Sequence, residues 1–418
     1  MITTLHENSI PRNDKPPHVI FAGGGTGGHL FPGLAVAAEL RRRWNDVAVT
    51  FIGCGSPIER EWVTAAGYDY VILPCRPAPK RLWHFPGFLL DNLAGYRAAR
   101  RFLAHHPAAV VVGLGGYASA PMGRAARAAS AKLVLLEQNT IPGRVNRWLA
   151  RSADVACVAF AETAQRLRCQ GEVRVTGTPI RPGFADASPP TQRRRLLVLG
   201  GSGGAVSLNE SVPRALYKVR QHLDGGEIVH QAGPHGVEAT ERLYKKLGLE
   251  AEVVPFIVDM PRMLGWTGLA VSRAGGSALA ELAAAGVPTI LLPYPHAAND
   301  HQRRNAELFR SAGGCVLIDQ RELTGRLDEA LAEAMVGLLK DRPRREQISR
   351  MMQTLARPNA TTEVARIIER LAGRAPSLAT LPTLDAFRPA RPEGPEPLAG
   401  LRAVRPRRPR QPLLPTSR

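Results

Sequence analysis

The stretch FAGGGTGGHLFPG, residues 21–33, decides the fold. It places five glycines among residues 23–28, directly after the apolar run HVIFAG (18–23), and His29 follows the glycines at once. The next segment, LAVAAELRRRW, has the apolar spacing of an amphipathic helix. A buried strand, a glycine-rich turn and a helix in that order predict a Rossmann-like unit, whose backbone N–H groups at the helix start can bind an anion.

The same alternation of apolar strand and helical segment recurs along the whole chain. It predicts a mostly parallel sheet covered by helices on both faces, first in one half of the chain and then again in the other. The predicted strands include VAVTFIG, AAVVVGLGG, KLVLLEQ and DVACVAF in the first half, and RLLVLGG, GEIVHQAG, AEVVPFI, GLAVSRAGG, VPTILLP and CVLID in the second. We therefore expect an α/β protein with two doubly wound, Rossmann-like domains.

Composition suggests where these domains begin and end. We predict a flexible N-terminus at 1–17, a first domain at 18–181, a linker rich in Pro, Ser and Arg at 182–194, and a second domain at 195–372. Residues 373–418 contain nine arginines, three acidic residues and many prolines, so we expect a disordered basic tail.

The net charge of +19 favours an anionic partner, such as a phosphate ligand or a lipid surface. The cations are scattered or lie in the tail and are not interleaved with aromatic residues, so we expect no nucleic acid. No apolar run approaches the ~20 residues of a membrane span, and the polar N-terminus carries no signal-peptide pattern. The five cysteines form no CxxC pair, which argues against disulfides and structural zinc.

Four glycine turns could hold anions: 23–28, 113–116, 200–204 and 275–276. Gly23, Gly25 and Gly28 formally match GxGxxG, which would indicate a nicotinamide or flavin cofactor. A dinucleotide site also requires an acidic residue at the end of the second strand, and VTFIGCGSP has none. We therefore expect no cofactor, and a dehydrogenase is disfavoured. The remaining alternative is that the glycines only permit tight turns.

His29 opens the first helix at the end of the sheet where such folds bind ligands. A single histidine is most often structural, but its unperturbed pKa lies near neutrality, so at a ligand-binding turn it is a candidate general base.

The segment SRAGGSALAELAAAGVPTILLPYPHAANDHQRRNAELF, residues 272–309, carries the most information about the second domain. Gly275 and Gly276 precede a helix whose N-terminal amides could hold a diphosphate, and Arg273 could add positive charge. Glu281 lies about one turn after Ser277, where its carboxylate could accept both hydroxyls of a ribose. Gln302, in the polar loop after the next strand, could bind sugar hydroxyls, as could its neighbour Asn299.

A metal site is disfavoured. His296, Asp300 and His301 lie together in sequence, but no second group of ligands accompanies them. The chain also has no DxD motif, the usual means by which transferases hold a divalent cation. We expect activity without metal.

Several motifs together resemble those of the MurG glycosyltransferases, a group within glycosyltransferase family 28 that has the GT-B fold of two Rossmann-like domains facing a cleft. They occur in family order over about residues 18–370. The motifs are GGGTGGHLFPGLAVA (23–37), GLGGYASAP (113–121), EQNTIPGRVNRWLA (137–150), TGTPIR (176–181), GGSGGA (200–205), HQAG (230–233), PFIVDM (255–260) and RAGGSALAELAAAGVPTILLP (273–293).

The resemblance implies an inverting transfer of N-acetylglucosamine from UDP-GlcNAc to the muramyl 4-hydroxyl of lipid I. The product would be lipid II for peptidoglycan synthesis, and thereby for cell shape and division. The lipid acceptor would bind the first domain and the UDP-sugar the second. The main alternative is a GT-B enzyme that uses a UDP-sugar with another glycolipid or small-molecule acceptor.

The resemblance also assigns candidate residues. His29 is the proposed base, Glu137 is a second candidate catalytic residue, Glu281 matches the ribose-binding carboxylate, and Phe256 and Ile257 match the uracil pocket. The remaining substrate-binding candidates are Thr26, Gly27, Gly28, Tyr117, Asn139, Arg181, Ser202, Arg273, Gly275, Gly276, Ser277 and Gln302.

This chain departs from the family at two positions. The family commonly has His before the EQN motif, where this chain has Leu136, and commonly has Gln in GGSQGA, where this chain has Gly203. The first change removes a polar group near the acceptor, and the second removes a side chain near the donor.

A lipid acceptor requires contact with the cytoplasmic face of the membrane. The segment RPAPKRLWHFPGFLL, residues 76–90, combines Arg76, Lys80 and Arg81 with Trp83, Phe85, Phe88, Leu89 and Leu90. This composition fits a peripheral contact with an anionic membrane surface. The alternative is a core helix with a basic cap.

Overall fold

A computed structural model describes residues 16–25, 27–77, 79, 85–184, 195–223 and 225–374. Thr26, most of the predicted linker, the predicted basic tail beyond residue 374 and nearly all of the predicted N-terminal segment lie outside the described residues.

The first half of the chain forms a seven-stranded parallel sheet in the order β3-β2-β1-β4-β5-β6-β7. Its strands are β1 His18–Gly23, β2 Ala48–Gly53, β3 Asp69–Ile72, β4 Val110–Gly115, β5 Lys132–Glu137, β6 Val155–Val158 and β7 Glu172–Val175. Its helices are α1 Gly27–Arg43, α2 Pro57–Ala65, α3 Phe85–His105, α4 Ser119–Ala128, α5 Arg144–Leu149 and α6 Ala161–Arg166.

The second half forms a six-stranded parallel sheet in the order β10-β9-β8-β11-β12-β13. Its strands are β8 Leu196–Leu199, β9 Ile228–Gln231, β10 Glu252–Val254, β11 Leu269–Ser272, β12 Thr289–Leu291 and β13 Val316–Leu317. The helices are α7 Val206–Lys218, α8 Val237–Lys246, α9 Met260–Trp266, α10 Gly276–Ala284, α11 His301–Ser311, α12 Leu327–Lys340, α13 Arg342–Leu355 and α14 Ala360–Leu371. The predicted class, two doubly wound α/β sheets, is confirmed.

In both sheets the first strand lies in the middle, and the chain later crosses to its other side. The resulting switch points are between β1 and β4 in the first sheet and between β8 and β11 in the second. Ligands of doubly wound folds bind outside the carboxyl ends of the strands at such points. Each of the four predicted glycine turns lies at or just after the carboxyl end of one of these four strands, so the fold brings them to the two switch points.

Successive side chains of the central strands point to opposite faces of the first sheet, and the core of the first domain therefore lies on both faces. Phe21 and Phe51 point to one face, where their rings stack with centroids 5.0 Å apart, while Ile20 and Ile52 are buried on the other face. A strand that is buried on both faces has few polar residues, which is why HVIFAG reads as a continuous apolar run.

The sequence did not predict the strands β3 and β7. Both contain charged residues, DYVI in one case and EVRV in the other, and neither has a buried residue. They form the two edges of the first sheet, where partial exposure removes the apolar signal on which the other strands were recognised.

The last helix, α14, packs on the first domain, although the sequence assigned residues up to 372 to the second. Val364 and Ile368 join the same hydrophobic cluster as Leu40 of α1. A buried ion pair, Arg43 with Glu369 at 2.7 Å, adds to this contact. The chain therefore crosses back after α13, which the linear order of motifs could not show.

Candidate active site

A cleft of about 910 Å³ lies between the two domains. Its first wall includes Gly27, Gly28 and His29 at the start of α1, and its second wall includes residues of the loop 200–207 and the start of α10. The two glycine loops face each other closely, since a Cβ placed on Gly27 would lie 3.3 Å from the Cβ of Ser202. Further lining residues are Phe31, Gln138, Asn139, Arg181, Gln231, Phe256, Met260, Arg273, Glu281, Tyr294, His296, His301, Gln302 and Gln320.

The first glycine loop packs against the loop that follows β4. Gly23, Gly24 and Gly25 have φ values of 132°, 144° and 89°, which residues other than glycine rarely adopt. The Gly24 N–H donates to the Gly115 carbonyl at 3.1 Å, and a Cβ on Gly116 would lie 2.4 Å from the Gly24 oxygen. These glycines therefore permit two backbone loops to touch at the switch point.

A carboxylate of the protein already occupies the first glycine loop. The Gly25 N–H donates to Glu59 Oε1, and the Tyr70 hydroxyl donates to Glu59 Oε2 at 2.7 Å. Glu59, on α2, is only 2% exposed. The sequence hypothesis that this glycine turn holds an anion therefore loses one donor, because the Gly25 amide has a partner within its own domain.

His29 lies in the first turn of α1, half-buried on the cleft wall. Its ring covers Gly115, where an added Cβ would lie 2.9 Å from His29 Cδ2. Burial lowers the pKa of His29 below its ordinary value of 6.5 and so favours the neutral imidazole; nearby Glu137 and Glu59 partly oppose this shift, and His301 adds to it. A neutral imidazole is the form that can accept a proton.

Glu137, the second candidate catalytic residue, is buried and does not line the cleft. Its carboxylate accepts hydrogen bonds from the Asn139 N–H at 3.0 Å, the Gly143 N–H at 2.8 Å and Asn146 Nδ2 at 2.9 Å. These contacts hold the loop that follows β5. The geometry gives Glu137 a structural role in this loop and an electrostatic effect on His29.

The second glycine loop, residues 200–204, has a different environment. Gly201 and Gly204 have φ values of 82° and 79°, and Gln231 Nε2 donates to the Gly201 carbonyl at 2.9 Å. Among the hydrogen bonds of the described residues, none places a carboxylate on the N–H groups of this loop. The loop leads into α7, so the positive end of a helix dipole faces the cleft.

Arg273 is a buried cation beside this loop. Its guanidinium donates to the carbonyl of Leu292 at 2.9 Å, to that of Pro293 at 3.1 Å and to Ser207 Oγ at 2.6 Å. Burial lowers the pKa of Arg273 to about 10, which leaves it charged at neutral pH. Within the described part of the chain Arg273 forms no ion pair with an acidic residue, so its hydrogen-bond partners are all neutral groups.

Glu281 and Arg181 meet across the domains. Arg181 Nη2 donates to Glu281 Oε1 at 3.3 Å, and Arg181 Nη1 donates to the Val258 carbonyl at 2.9 Å. Burial raises the pKa of Glu281, whereas Arg181 opposes that shift. The carboxylate predicted to bind a ribose thus lies in the cleft and is oriented by a cation.

Aromatic residues close one end of the cleft. Phe256 of the second domain stacks on Phe31 with centroids 5.7 Å apart and meets Trp62 edge-on at 4.6 Å. Ile257 is buried, and its N–H donates to Gln231 Oε1 at 3.1 Å. Of the predicted uracil-pocket pair, Phe256 lines the cleft and Ile257 lies behind it.

The structure brings most of the predicted binding residues to the cleft, but not all. Gly27, Gly28, Asn139, Ser202, Gly275, Gly276, Ser277 and Gln302 line it. Ser277 also donates to the Gly28 carbonyl at 2.6 Å, so its hydroxyl joins the two walls. Tyr117 is 44% exposed and lies outside the lining, and Thr26 is outside the described residues.

Sequence reasoning missed three residues that the structure makes prominent: Glu59, Gln138 and Asn305. Glu59 looks like a solvated acidic residue on an amphipathic helix, and no local signal marks it. Gln138 lies between the two named positions Glu137 and Asn139, and Asn305 is one helical turn after His301, so for these the neighbouring motifs were the available signal.

Two further observations concern the surroundings of the cleft. Within the described ranges, no group of three or more His, Cys, Asp or Glu residues could hold a metal ion, and no helix is long and apolar enough to cross a membrane. On α3, Phe85, Leu89, Leu90 and Leu93 are exposed, Leu90 to 68%. The alternative of a core helix for this segment is therefore wrong for its start, whereas Lys80, Arg81 and Trp83 lie outside the described residues.

Comparison with known proteins places these features in a family. Residues 19–158 match the glycosyltransferase family 28 N-terminal domain, and residues 195–371 match the C-terminal domain of the same family. A protein of Methylococcus capsulatus is 40% identical over 363 residues, which cover 85% of this chain and 99% of that protein. It is named UDP-N-acetylglucosamine–N-acetylmuramyl-(pentapeptide) pyrophosphoryl-undecaprenol N-acetylglucosamine transferase, as is a Stutzerimonas stutzeri protein 39% identical over 360 residues, which cover 85% and 99% of the two chains.

Solved structures agree. The crystal structure of Acinetobacter baumannii MurG matches with a TM-score of 0.67 and 28% identity, and the match covers 85% of this chain and all of that one. The glycosyltransferase of kitacinnamycin, at 19% identity and a TM-score of 0.63 over 86% of this chain and all of its own, shares the fold. With both domain models matched in order and a full-length relative at 40% identity, the chain belongs to glycosyltransferase family 28.

Proposed function

We propose that this protein transfers N-acetylglucosamine from UDP-GlcNAc to lipid I, the undecaprenyl-pyrophosphoryl-N-acetylmuramyl peptide, and so forms lipid II for peptidoglycan. The names of its full-length relatives support this reaction. The observation that carries the proposal is the asymmetry of the cleft: one wall presents a histidine whose pKa is lowered by burial, and the other presents a glycine loop beside a buried arginine with neutral partners.

The donor binds the second domain in this proposal. Phe256 lines the base pocket with the buried Ile257 behind it, and Glu281, oriented by Arg181, accepts the ribose hydroxyls. The diphosphate lies between the loop containing Ser202 and the N-terminus of α10, where backbone N–H groups and helix dipoles favour anions. Arg273 contributes positive charge to the donor site. The residues nearest the transferred sugar are Gly275, Gly276, Ser277 and Gln302.

The acceptor binds the first domain, beside Gly27, Gly28 and Asn139, with Tyr117 at the outer rim. The muramyl 4-hydroxyl oxygen attacks the anomeric carbon of GlcNAc from the face opposite UDP. The new C–O bond forms while the bond from that carbon to the β-phosphate oxygen breaks, and the hydroxyl proton passes to the His29 imidazole. An α-linked donor gives a β-linked product in this single displacement.

The leaving UDP gains negative charge, and fixed positive groups are there to receive it. The amides at the start of α7 and α10 and the Arg273 guanidinium are prearranged, so they need no reorganisation as charge develops. We propose that these groups take the place of a divalent cation. Glu137 holds the loop between β5 and α5, and by its charge it stabilises the imidazolium formed on His29.

The lipid acceptor is reached from the cytoplasmic face of the membrane, where we propose that the protein binds peripherally. The exposed side chains Phe85, Leu89 and Leu90 at the start of α3 would enter the interface. Arg76 lies next to them and is 69% exposed although it pairs with Asp91, so it remains available to anionic headgroups.

The test is a mass-spectrometric transfer assay with UDP-GlcNAc and a short-chain lipid I analogue, with and without EDTA. We expect a product heavier by one GlcNAc whose yield is unchanged by the chelator. Loss of the product in EDTA would overturn the metal-free mechanism. Absence of product under all conditions, with UDP-GlcNAc still bound, would indicate a family 28 enzyme with a different acceptor.

A further inference from the structure

Asn305, on α11, lies where the two domains meet and is completely buried. Its Oδ1 accepts hydrogen bonds from the Thr140 N–H at 2.9 Å and the Thr140 hydroxyl at 3.0 Å. Its Nδ2 donates to Asn139 Oδ1 and to the Ala274 carbonyl, both at 3.0 Å. An asparagine amide offers two donor hydrogens and two acceptor sites, and Asn305 uses all four.

The partners of Asn305 belong to the two walls of the cleft. Asn139 and Thr140 lie in the first-domain loop after β5, whose conformation Glu137 fixes. Ala274 belongs to the second domain and immediately precedes Gly275 and the start of α10. One side chain therefore joins the acceptor-side loop to the helix that faces the donor.

The backbones on either side of this amide also touch. A Cβ placed on Gly276 would lie 2.0 Å from the carbonyl oxygen of Gln138, so only glycine fits at the first residue of α10. Because this contact is between two backbones, no side chain can move to accommodate a change in spacing. The distance between the two walls is therefore set by the groups that hydrogen-bond them to each other. The only amide that hydrogen-bonds both walls directly, among the described residues, is that of Asn305.

We propose that Asn305 is a positioning residue for sugar transfer: it sets the acceptor-side loop against the start of α10, and it contacts neither substrate. This inference rests on the proposed function. Its consequence is that loss of Asn305 separates catalysis from nucleotide binding. The donor contacts proposed above lie mainly in the second domain, whereas attack requires both walls at the right separation, and a displacement of about 1 Å can cost on the order of 10²-fold in rate.

The experiment measures kcat and KM for transfer, the Kd of UDP by calorimetry, and Tm, for Asn305→Ala, Thr140→Val and the double variant. We expect Asn305→Ala to lower kcat roughly 10- to 100-fold while the Kd of UDP changes less than about threefold. Thr140→Val, which removes a single hydroxyl contact, should lower kcat a few-fold. In the Asn305→Ala background it should have no further effect, because coupled residues are not additive.

Thr289→Val is the matched control, because Thr289 is equally buried but its hydroxyl donates to the Val287 carbonyl, within the second domain. It should leave kcat unchanged. Asn305→Asp provides a further contrast, since a carboxylate can still accept from Thr140 but faces two oxygen atoms on its other side, and it should not restore activity.

An unchanged kcat in Asn305→Ala would overturn the proposal, as would a kcat loss matched by an equal loss of UDP affinity, or additive effects in the double variant. If Asn305→Ala does not fold, Thr140→Val decides: a lower kcat with unchanged UDP affinity agrees with the proposal, and an unchanged kcat contradicts it. Failure of the wild-type protein to transfer sugar at all would instead refute the proposed function.

Discussion

The two glycine loops of this protein look alike in sequence, FAGGGTGG in the first domain and VLGGSGGA in the second, yet the structure gives them opposite surroundings. The Gly25 N–H of the first loop is bonded to the carboxylate of Glu59. Beside the second loop lies Arg273, which is buried and has only neutral partners. A run of glycines therefore predicts a tight turn, but the side chain opposite that turn decides whether it can receive an anion.

The difference extends to the charges around each loop. Glu59 and Glu137 both act on His29 and oppose the lowering of its pKa. Arg273 lines the second-domain side together with two helix N-termini, whereas Arg181 is paired with Glu281. The first wall is suited to accepting a proton, and the second is suited to holding a diphosphate and the charge that develops on it.

The largest effect is expected at His29. If the first wall supplies the general base, His29→Asn should lower kcat about 10²- to 10⁴-fold, because that is the usual contribution of a positioned base. The Kd of UDP should stay close to that of the wild type, since UDP is assigned to the opposite wall. Single-turnover transfer and calorimetry together measure both quantities, and a large loss of UDP affinity would break the proposed division between the walls.

The pH profile sharpens the same assignment. Because burial lowers the pKa of His29, the neutral base persists below the ordinary value of 6.5, and transfer should be lost only as the pH falls further through the lowered pKa. The fold favours the neutral form, so this group also contributes stability that is lost as the pH falls below 6.5. We expect the acidic limb of kcat/KM to have its midpoint below 6.5 and to be absent in His29→Asn. An unchanged acidic limb in the variant would assign the proton transfer elsewhere.

A smaller effect, on stability, is expected at Glu59. Glu59→Ala leaves the Gly25 N–H and the Tyr70 hydroxyl without their partner, and because both hydrogen bonds are only partly buried, each loss should cost about 1 kcal/mol, the low end of the range for unpaired polar groups. We expect the free energy of unfolding in urea to fall by about 2 kcal/mol.

Tyr70→Phe is the matched variant for Glu59→Ala, because it removes one of the two contacts and should cost about 1 kcal/mol. Wild-type stability in Glu59→Ala would mean that the carboxylate does not hold the first loop, and the contrast between the loops would disappear.

Two substitutions at Arg273 separate the effect of its charge on UDP binding from the effect of its packing. Arg273→Met should weaken UDP binding about tenfold. A hydrogen bond to a charged group contributes about 1.5–3 kcal/mol, and we expect the low end of this range because the Arg273 guanidinium also bonds protein carbonyls. Arg273→Lys, which keeps the charge, should lose much less. Calorimetric titration with UDP at two salt concentrations tests this, and equal losses in both variants would exclude a role for the charge.

The residues themselves show why part of this molecule was predictable from sequence. β1, β4 and β8 are buried on both faces, so their sequences consist of apolar runs that end in glycine, and the switch points follow from them. The cleft residues named from motifs, such as His29, Ser202 and Glu281, are close in sequence to those glycines. Local sequence thus determined both the fold class and most of the lining.

The unpredicted features all depend on contacts between distant segments. Glu59 reaches Gly25 across 34 residues, Asn305 reaches Thr140 across 165, and Arg43 pairs with Glu369 across 326. No periodicity within a single element encodes such a partner. The same reason explains why the role of Glu137 was not predicted. The motif marked this residue as catalytic, but its carboxylate accepts hydrogen bonds from Asn139, Gly143 and Asn146 in the segment that follows β5.

The smallest expected effect lies between the two loops, at Gln138. This residue is 3% exposed, and neither its Oε1 nor its Nε2 has a hydrogen-bond partner among the described residues. Replacing an unpaired buried amide by an apolar group of similar size removes a desolvation cost, so Gln138→Leu should raise the free energy of unfolding by about 1 kcal/mol. Asn305, the neighbouring amide with four partners, gives the opposite expectation, since Asn305→Ala should be destabilising.

Urea unfolding of Gln138→Leu and Asn305→Ala, side by side with the wild type, measures this contrast on one scale. A gain for the first and a loss for the second would show that two amides at the same domain boundary differ only in whether closure of the cleft provides them with partners. A loss of stability in Gln138→Leu would mean that this amide is hydrated or bonded in solution, and hence that the two walls spend time further apart. In that case domain opening, and not only the chemistry of the two loops, would govern how the acceptor reaches His29.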